Sequence, residues 1–260
     1  MNKVPWSFSL LSWALNEEVN IGEFIEKAEG FLNDLTDDYE LVLIDDGSTD
    51  RTLEIARSYQ ETRPWLKVYP NERNRGSGYN TKRAISLAQK QYLFWQMVDW
   101  SYDITNIRSC IELLSQYDVL QGVRSNIRTL PEVFTKRSDN PYKAFISIVN
   151  YLLVRLLFRL PLSDFQNVTV YPTKLIQSVE LESESAFTNP ECLLKMWWKG
   201  VSIKEIQTPF MRRKKGKAKG SAPKVIWASL KDVFRWWFRW IILGKRQDKG
   251  HGRIIRWQET

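Results

Sequence analysis

The chain has 260 residues, with 38 Lys and Arg against 30 Asp and Glu, a single histidine and a formal net charge of +8. Hydrophobic residues make up 43% and charged residues 26%, which supports a real core and excludes a disordered polymer. With His251 alone near the end of the chain, a histidine dyad or triad is excluded and a general base would be a carboxylate; the two cysteines, Cys110 and Cys192, exclude a disulfide framework and fit a reducing compartment.

In chain order, Phe8 to Leu15 is a strand candidate and Asn16 to Leu32 an amphipathic helix. Glu40 to Ile44 is a second strand, Asp50 to Gln60 a helix, Leu66 to Tyr69 a short strand and Tyr79 to Gln89 a helix. Tyr92 to Val98 and Tyr117 to Val123 are further strands. Strands alternating with helices of this length predict an α/β fold with a mostly parallel, Rossmann-like sheet. Ser125 to Asn140 reads as a long polar loop, a kind of segment more often functional than idle inside a compact domain. Pro141 to Leu160 is a mostly apolar helix, and Ala222 to Leu243 another.

Charge divides the chain at about residue 210. From Met211 to Thr260 there are 15 Lys and Arg against 3 Asp and Glu, whereas the first 210 residues are mildly acidic. The expected organisation is therefore a body over 1–210 and a basic loop plus amphipathic helix over 211–260. On that helix Lys224, Lys231, Asp232, Arg235 and Arg239 share an arc, with Ile226, Trp227, Leu230, Val233, Phe234, Trp237 and Phe238 opposite. A basic face against a Trp-rich apolar face describes an interfacial membrane helix, and an ordinary core-packing helix is the plainer alternative. The N-terminal stretch lacks a signal-peptide pattern and no window has the length of a bilayer span, so the expected location is cytoplasmic and peripheral to a membrane. No nucleic-acid partner is expected, because the tail aromatics lie on an apolar face rather than interleaving with cations on a platform.

Two places concentrate chemistry. Strand ELVLI runs into Asp45-Asp46-Gly47-Ser48-Thr49-Asp50, a strand-end turn ahead of a helix, and adjacent aspartates repel unless something compensates. The strand LFWQMV ends on Asp99, flanked by Trp100 and Tyr102, at the sheet edge where α/β proteins place their ligands.

The stretch LVLIDDGSTDRTLEIA resembles the second strand and nucleotide-binding turn of family 2 glycosyltransferases with the GT-A fold. SLLSWALNEEVNIGEFI is similar to their first strand, with Ala14, Asn16 and Glu17 matching while Trp13 and Leu15 depart. ERNRGSGYNTKRAISLA, YDVLQGVR, LPLSDFQNVTVYP, SAFTNPECLLKMWWKGVSIKEIQTPF and RKKGKAKG follow in the family's order and resemble the subgroup that glycosylates polyprenyl phosphates. The resemblance implies an inverting transfer from a nucleotide-sugar donor. Ala14, Asn16, Glu17, Asp45 and Asp46 would bind the nucleotide, with Asp46 facing the base. Asp99 would hold Mg²⁺ or Mn²⁺ with Ser101, whether Met97 replaces the first aspartate of the metal motif or Asp99 is itself the first. Arg213 and Lys219 would neutralise the leaving diphosphate, Lys219 with Arg124 and Arg137 also serving phosphate binding on the acceptor side. Asp164 or Glu191 would act as base if the acceptor is a hydroxyl; a lipid phosphate, already anionic, needs none. A catalytically silent scaffold on the same fold is the rival reading that Met97 raises.

Overall fold

The computed structural model describes residues 3–100, 102–124, 141–208 and 223–257. Strand β1 (Phe8–Ala14) and strand β2 (Tyr39–Asp45) are mostly apolar and almost wholly buried because both faces of the sheet are covered. Leu11, Val42 and Ile44 enter the core on one side, whereas Phe8, Leu10, Leu41 and Leu43 enter the core on the other. Helix α1 (Ile21–Leu35) buries Ile21, Phe24, Ile25, Ala28, Leu32 and Leu35, the three- and four-residue spacing of one face. It starts five residues later than the pattern suggests, since the backbone of Asn16 to Glu18 is held by side chains of the next strand-end turn.

Helix α2 (Thr52–Thr62) and strand β3 (Leu66–Pro70) complete the first units, followed by helix α3 (Ser77–Leu87) and strand β4 (Tyr92–Trp95). A short helix α4 (Thr105–Cys110) with a 3₁₀ turn leads to strand β5 (Val119–Val123). Helix α5 (Pro141–Phe158), strand β6 (Thr169–Pro172), helix α6 (Thr173–Gln177), helix α7 (Thr188–Trp198) and strand β7 (Ile203–Gln207) follow. Helix α8 (Pro223–Trp237) runs into a π-turn, Phe238–Ile242, and strand β8 (Ile254–Ile255) closes the order.

The eight strands form one sheet in the order β3-β2-β1-β4-β6-β5-β7-β8. Its first four strands are parallel, as are β5, β7 and β8; β6 alone runs antiparallel, to both β4 and β5. The order reverses between β1 and β4, which makes the carboxyl ends of β1, β2 and β4 a switch-point crevice.

The described residues beyond 210 join this same body. β8 extends the sheet next to β7, and Val233, Trp236 and Trp240 are buried in the core with Phe158, Phe187 and Trp198. On the last helix Val233 and Trp236 face the protein, while Trp227 and Phe234 are exposed along with Phe238. The predicted loop 125–140 and the basic run 209–222 lie outside the described residues.

Candidate active site at the carboxyl edge of the sheet

The ends of β1 and β2 are stitched into one rim. Ala14 lies in register with Asp45, and the Asp46 N–H donates to the Ala14 carbonyl at 2.8 Å. Asn16 has φ 51, a left-handed backbone that Asn tolerates better than most residues. Its N–H donates to Ser48 Oγ at 3.0 Å, and its Oδ1 accepts from the Thr49 N–H at 2.8 Å. The Glu17 N–H donates to Thr52 Oγ1 at 2.8 Å and the Glu18 N–H to Asp50 Oδ2 at 3.3 Å. Partial burial pushes the Asp50 carboxyl up, but donation from the Thr52 hydroxyl and from backbone N–H groups of Thr52 and Glu18 prevails and holds it below its usual value.

The adjacent aspartates avoid mutual repulsion by having different partners. Asp46 is buried and accepts from Asn71 Nδ2 (2.8 Å), the Arg75 N–H (2.8 Å) and the Gly76 N–H (3.1 Å). Asn71 Nδ2 also donates to Asn80 Oδ1 at 2.7 Å, and Arg83 donates to Asn71 Oδ1. Asp46 therefore anchors the segment leading into α3. The two segments touch so closely at Gly47 (φ 72) that a Cβ there would lie 2.6 Å from the Arg73 carbonyl carbon. The Asp45 side chain accepts only one bond among the described residues, from the Ser48 N–H at 3.2 Å, and its buried Oδ1 has no partner among them. Two signals mark these positions in sequence, the Asp pair itself and the asparagines 71 and 80, yet nothing in the spacing says which aspartate each asparagine serves.

At the end of β4, buried Gln96 takes over from the ladder. Its Nε2 donates to the Tyr102 carbonyl at 2.8 Å, its Oε1 accepts from the Met97 N–H at 2.9 Å, and its own carbonyl accepts from Ser12 Oγ at 2.8 Å. The strand stops at Trp95 for this reason, three residues short of the predicted end. Met97 to Trp100 forms a turn closed by the Trp100 N–H on the Met97 carbonyl at 2.9 Å. Trp100 sits at φ 54, a strained backbone for a bulky residue, while its indole packs edge-on against Phe24 of α1 at 5.8 Å. Asp99 lies within this turn, partly buried, just past the carboxyl end of β4.

Asp103 is occupied in capping α4, accepting from the Thr105 N–H at 3.1 Å. No group of three or more His, Cys, Asp or Glu side chains comes together among the described residues. Ser101 lies outside them. A hard divalent cation takes six or more oxygen ligands, so one at this edge would draw on Asp99 and need the rest of its oxygens from a ligand or water.

On the far side of the crevice, partly buried Arg124 and buried Asp164 form a bidentate pair. Nε and Nη2 each donate to a carboxylate oxygen at 2.5 Å, and Asp164 Oδ1 also accepts from the Gln166 N–H at 3.0 Å. Burial lowers the Arg124 guanidinium, and the charge of Asp164 more than offsets it, leaving it above its usual value. Glu191 is fully buried in α7, and its oxygens accept from the Glu182 N–H (2.7 Å) and Ser183 N–H (2.8 Å) and pair with Lys195 (2.9 Å). Burial, opposed by these partners, still leaves its carboxyl raised. Glu191 thus anchors the segment before α7, and that segment in turn touches α3: a Cβ on Gly78 would lie 2.2 Å from the Glu184 carbonyl carbon.

Residues 9–172, which carry this switch point and rim, match the family model of glycosyl transferase family 2. The chain belongs to that family. Solved structures of similar fold include glucosyl-3-phosphoglycerate synthase from Mycobacterium tuberculosis in complex with Mn²⁺ and UDP, at 14% identity and a TM-score of 0.58 over 88% of this chain and 80% of that one. S. aureus TarS 1-349 in complex with UDP-GlcNAc aligns at 18% identity and a TM-score of 0.56, over 87% of this chain and 65% of that one. These likenesses show the GT-A fold. Among curated relatives, a dolichyl-phosphate beta-glucosyltransferase of Dictyostelium discoideum is 35% identical over 131 residues, 46% of this chain and 40% of its own length. A dodecaprenyl-phosphate galacturonate synthase of Rhizobium johnstonii is 28% identical over 182 residues, 68% of this chain and 51% of its own. The chain thus spans about half the length of these relatives.

Within this family 2 glycosyltransferase, the crevice brings together Ala14, Asn16, Glu17, Asp45, Asp46 and Asp99 from three neighbouring strand ends. Arg124 and Asp164 come together as a pair, and Glu191 stands apart in the core. Ser101, Arg137, Arg213 and Lys219 lie outside the described residues.

Proposed function

We propose that the chain transfers a sugar, with inversion, from a UDP- or GDP-sugar to a polyprenyl phosphate at a membrane surface. The observation that carries the choice of acceptor is the engagement of both expected bases. Asp164 has each oxygen on Arg124, and Glu191 is enclosed by two N–H donors and Lys195. A hydroxyl acceptor needs a group that takes its proton, whereas a phosphate monoester is anionic at neutral pH and attacks without one. The names of two of the curated relatives, a dolichyl-phosphate and a dodecaprenyl-phosphate enzyme, support the same acceptor class.

On the donor side, Asp45 rather than Asp46 receives the nucleotide's N–H or hydroxyl donors, because Oδ1 of Asp45 is the buried acceptor without a partner among the described residues. The stitched Asn16–Glu18 backbone holds that rim in place before the ligand arrives. Asp99 anchors the cation that accompanies the diphosphate. When bound, Mg²⁺ or Mn²⁺ supplies Lewis-acid stabilisation of the leaving diphosphate. Arg213 and Lys219 add positive charge there. The Asp164 carboxylate fixes the orientation of Arg124, and a guanidinium has five N–H donors, of which the pair uses two; Arg124 with Arg137 meets the acceptor phosphate.

A panel of UDP- and GDP-sugars with Mn²⁺, offered polyprenyl phosphate in detergent or soluble saccharides, tests this. Turnover on the lipid phosphate is expected, reduced about 10²–10³-fold in Asp99→Ala. Turnover confined to saccharide hydroxyls would refute the acceptor, and full activity of Asp99→Ala would refute the metal role.

A further inference from the structure

Away from the crevice, a cavity of about 420 Å³ opens between α7, the π-turn and the segment after it. Its inner wall is neutral and saturated. Glu182 accepts from Trp240 Nε1 at 2.8 Å and pairs with Arg239 at 3.1 Å and Lys195 at 3.1 Å. Lys195 also pairs with Glu191 at 2.9 Å and donates to the Glu180 carbonyl, so the three hydrogens of its ammonium are accounted for.

The mouth differs. Lys245, Arg246, Gln247 and Asp248 line it with Glu180 and Trp198. Asp248 faces Lys199 at 3.8 Å, and the Arg246 guanidinium lies 5.3 Å over the Trp198 ring. Neither Lys245 nor Arg246 has a carboxylate within ion-pair distance among the described residues. With Lys199 included, three cations oppose two carboxylates here, a surplus of one positive charge.

Directly beside this mouth, Phe238, Ile242 and Leu243 are about half exposed, and they continue the exposed stripe of Trp227 and Phe234 on α8. Leu152 and Leu156 are exposed on α5, which packs against α8. A cationic cleft bordered by an uncovered apolar stripe matches a ligand that is itself anionic at one end and apolar at the other. We propose that the cleft at Lys245 and Arg246 binds the phosphate of an anionic membrane phospholipid, with Phe238, Ile242 and Leu243 entering the acyl boundary beside it. This site is separate from the nucleotide crevice. It rests on the reading above only in placing the protein at a bilayer.

The test is co-sedimentation of the full chain with vesicles of phosphatidylcholine, alone or containing phosphatidylglycerol, with no polyprenyl phosphate and no sugar donor present. Its outcome is therefore independent of whether transfer to a lipid phosphate occurs. Wild type is expected to prefer the phosphatidylglycerol vesicles. Lys245→Gln with Arg246→Gln should weaken that binding about 30-fold, the effect of two surface cations at about 1 kcal/mol each. Arg57→Gln with Lys67→Gln removes the same charge from exposed positions on α2 and β3, at the opposite edge of the sheet, and should weaken it less than about 3-fold. Equal losses in both double variants would reduce the effect to net charge and overturn the site. No preference of the wild type for anionic vesicles would overturn it as well. Release of wild type from the vesicles by millimolar inorganic phosphate would show a small-anion site instead of a headgroup site.

Discussion

Replacing Asp46 by alanine separates an architectural carboxylate from a ligand-binding one. The substitution leaves the Arg75 and Gly76 N–H groups and one hydrogen of Asn71 Nδ2 without an acceptor, all at a residue only 4% exposed. Each hydrogen bond to a charged acceptor contributes about 1.5–3 kcal/mol, and neighbours sharing one acceptor add less than fully, so the loss is about 4 kcal/mol. At roughly 2–4 °C per kcal/mol for a chain of this size, Tm should fall by about 10 °C. Asp45→Ala removes a single bond at 3.2 Å and an acceptor oxygen that has no partner among the described residues. Its stability should stay within about 1 kcal/mol of wild type, while its affinity for UDP or GDP should drop about 10–100-fold. Thermal unfolding followed by circular dichroism and nucleotide titration by calorimetry measure the two effects on the same samples. If Asp46→Ala kept its Tm and lost nucleotide binding, with Asp45→Ala doing the reverse, the assignment would be refuted.

Two further outcomes follow from local geometry. Because the native Asp50 carboxyl is held below its usual value, its stabilisation is complete above the unfolded value near 4 and is lost as pH falls through the depressed native one. Asp50→Ala should therefore cost about 1 kcal/mol at neutral pH, and a gap to wild type that persists undiminished in strong acid would contradict this. Gly78→Ala forces a methyl group to 2.2 Å from the Glu184 carbonyl carbon; overpacking against backbone should destabilise by about 3 kcal/mol, and urea midpoints equal to wild type would show that the contact yields freely.

The strand-helix alternation of the first hundred residues was legible because a doubly covered sheet demands nearly unbroken apolar strands, and FSLLSWA and YELVLID supply them. Strand β6 was hidden, as four residues of ordinary composition do not announce an antiparallel insertion. Helix α8 shows the limit of periodicity most clearly. A helical projection divides it into one apolar and one basic arc, yet the packing of α7 and α5 selects Val233, Trp236 and, in the π-turn, Trp240 for burial and leaves Trp227 and Phe234 uncovered.

The site divides along the same line. Residue types and order alone placed Asn16, Asp45, Asp46 and Asp99 at strand ends and so at one sheet edge, because parallel strands bring their carboxyl ends together. Which donors surround each carboxylate was decided by neighbours distant in sequence: Asn71, Arg75 and Gly76 for Asp46, Arg124 for Asp164, and Glu182, Ser183 and Lys195 for Glu191. A carboxylate's availability depends on which donors surround it in space, and that is a property of the folded chain rather than of any local stretch of it.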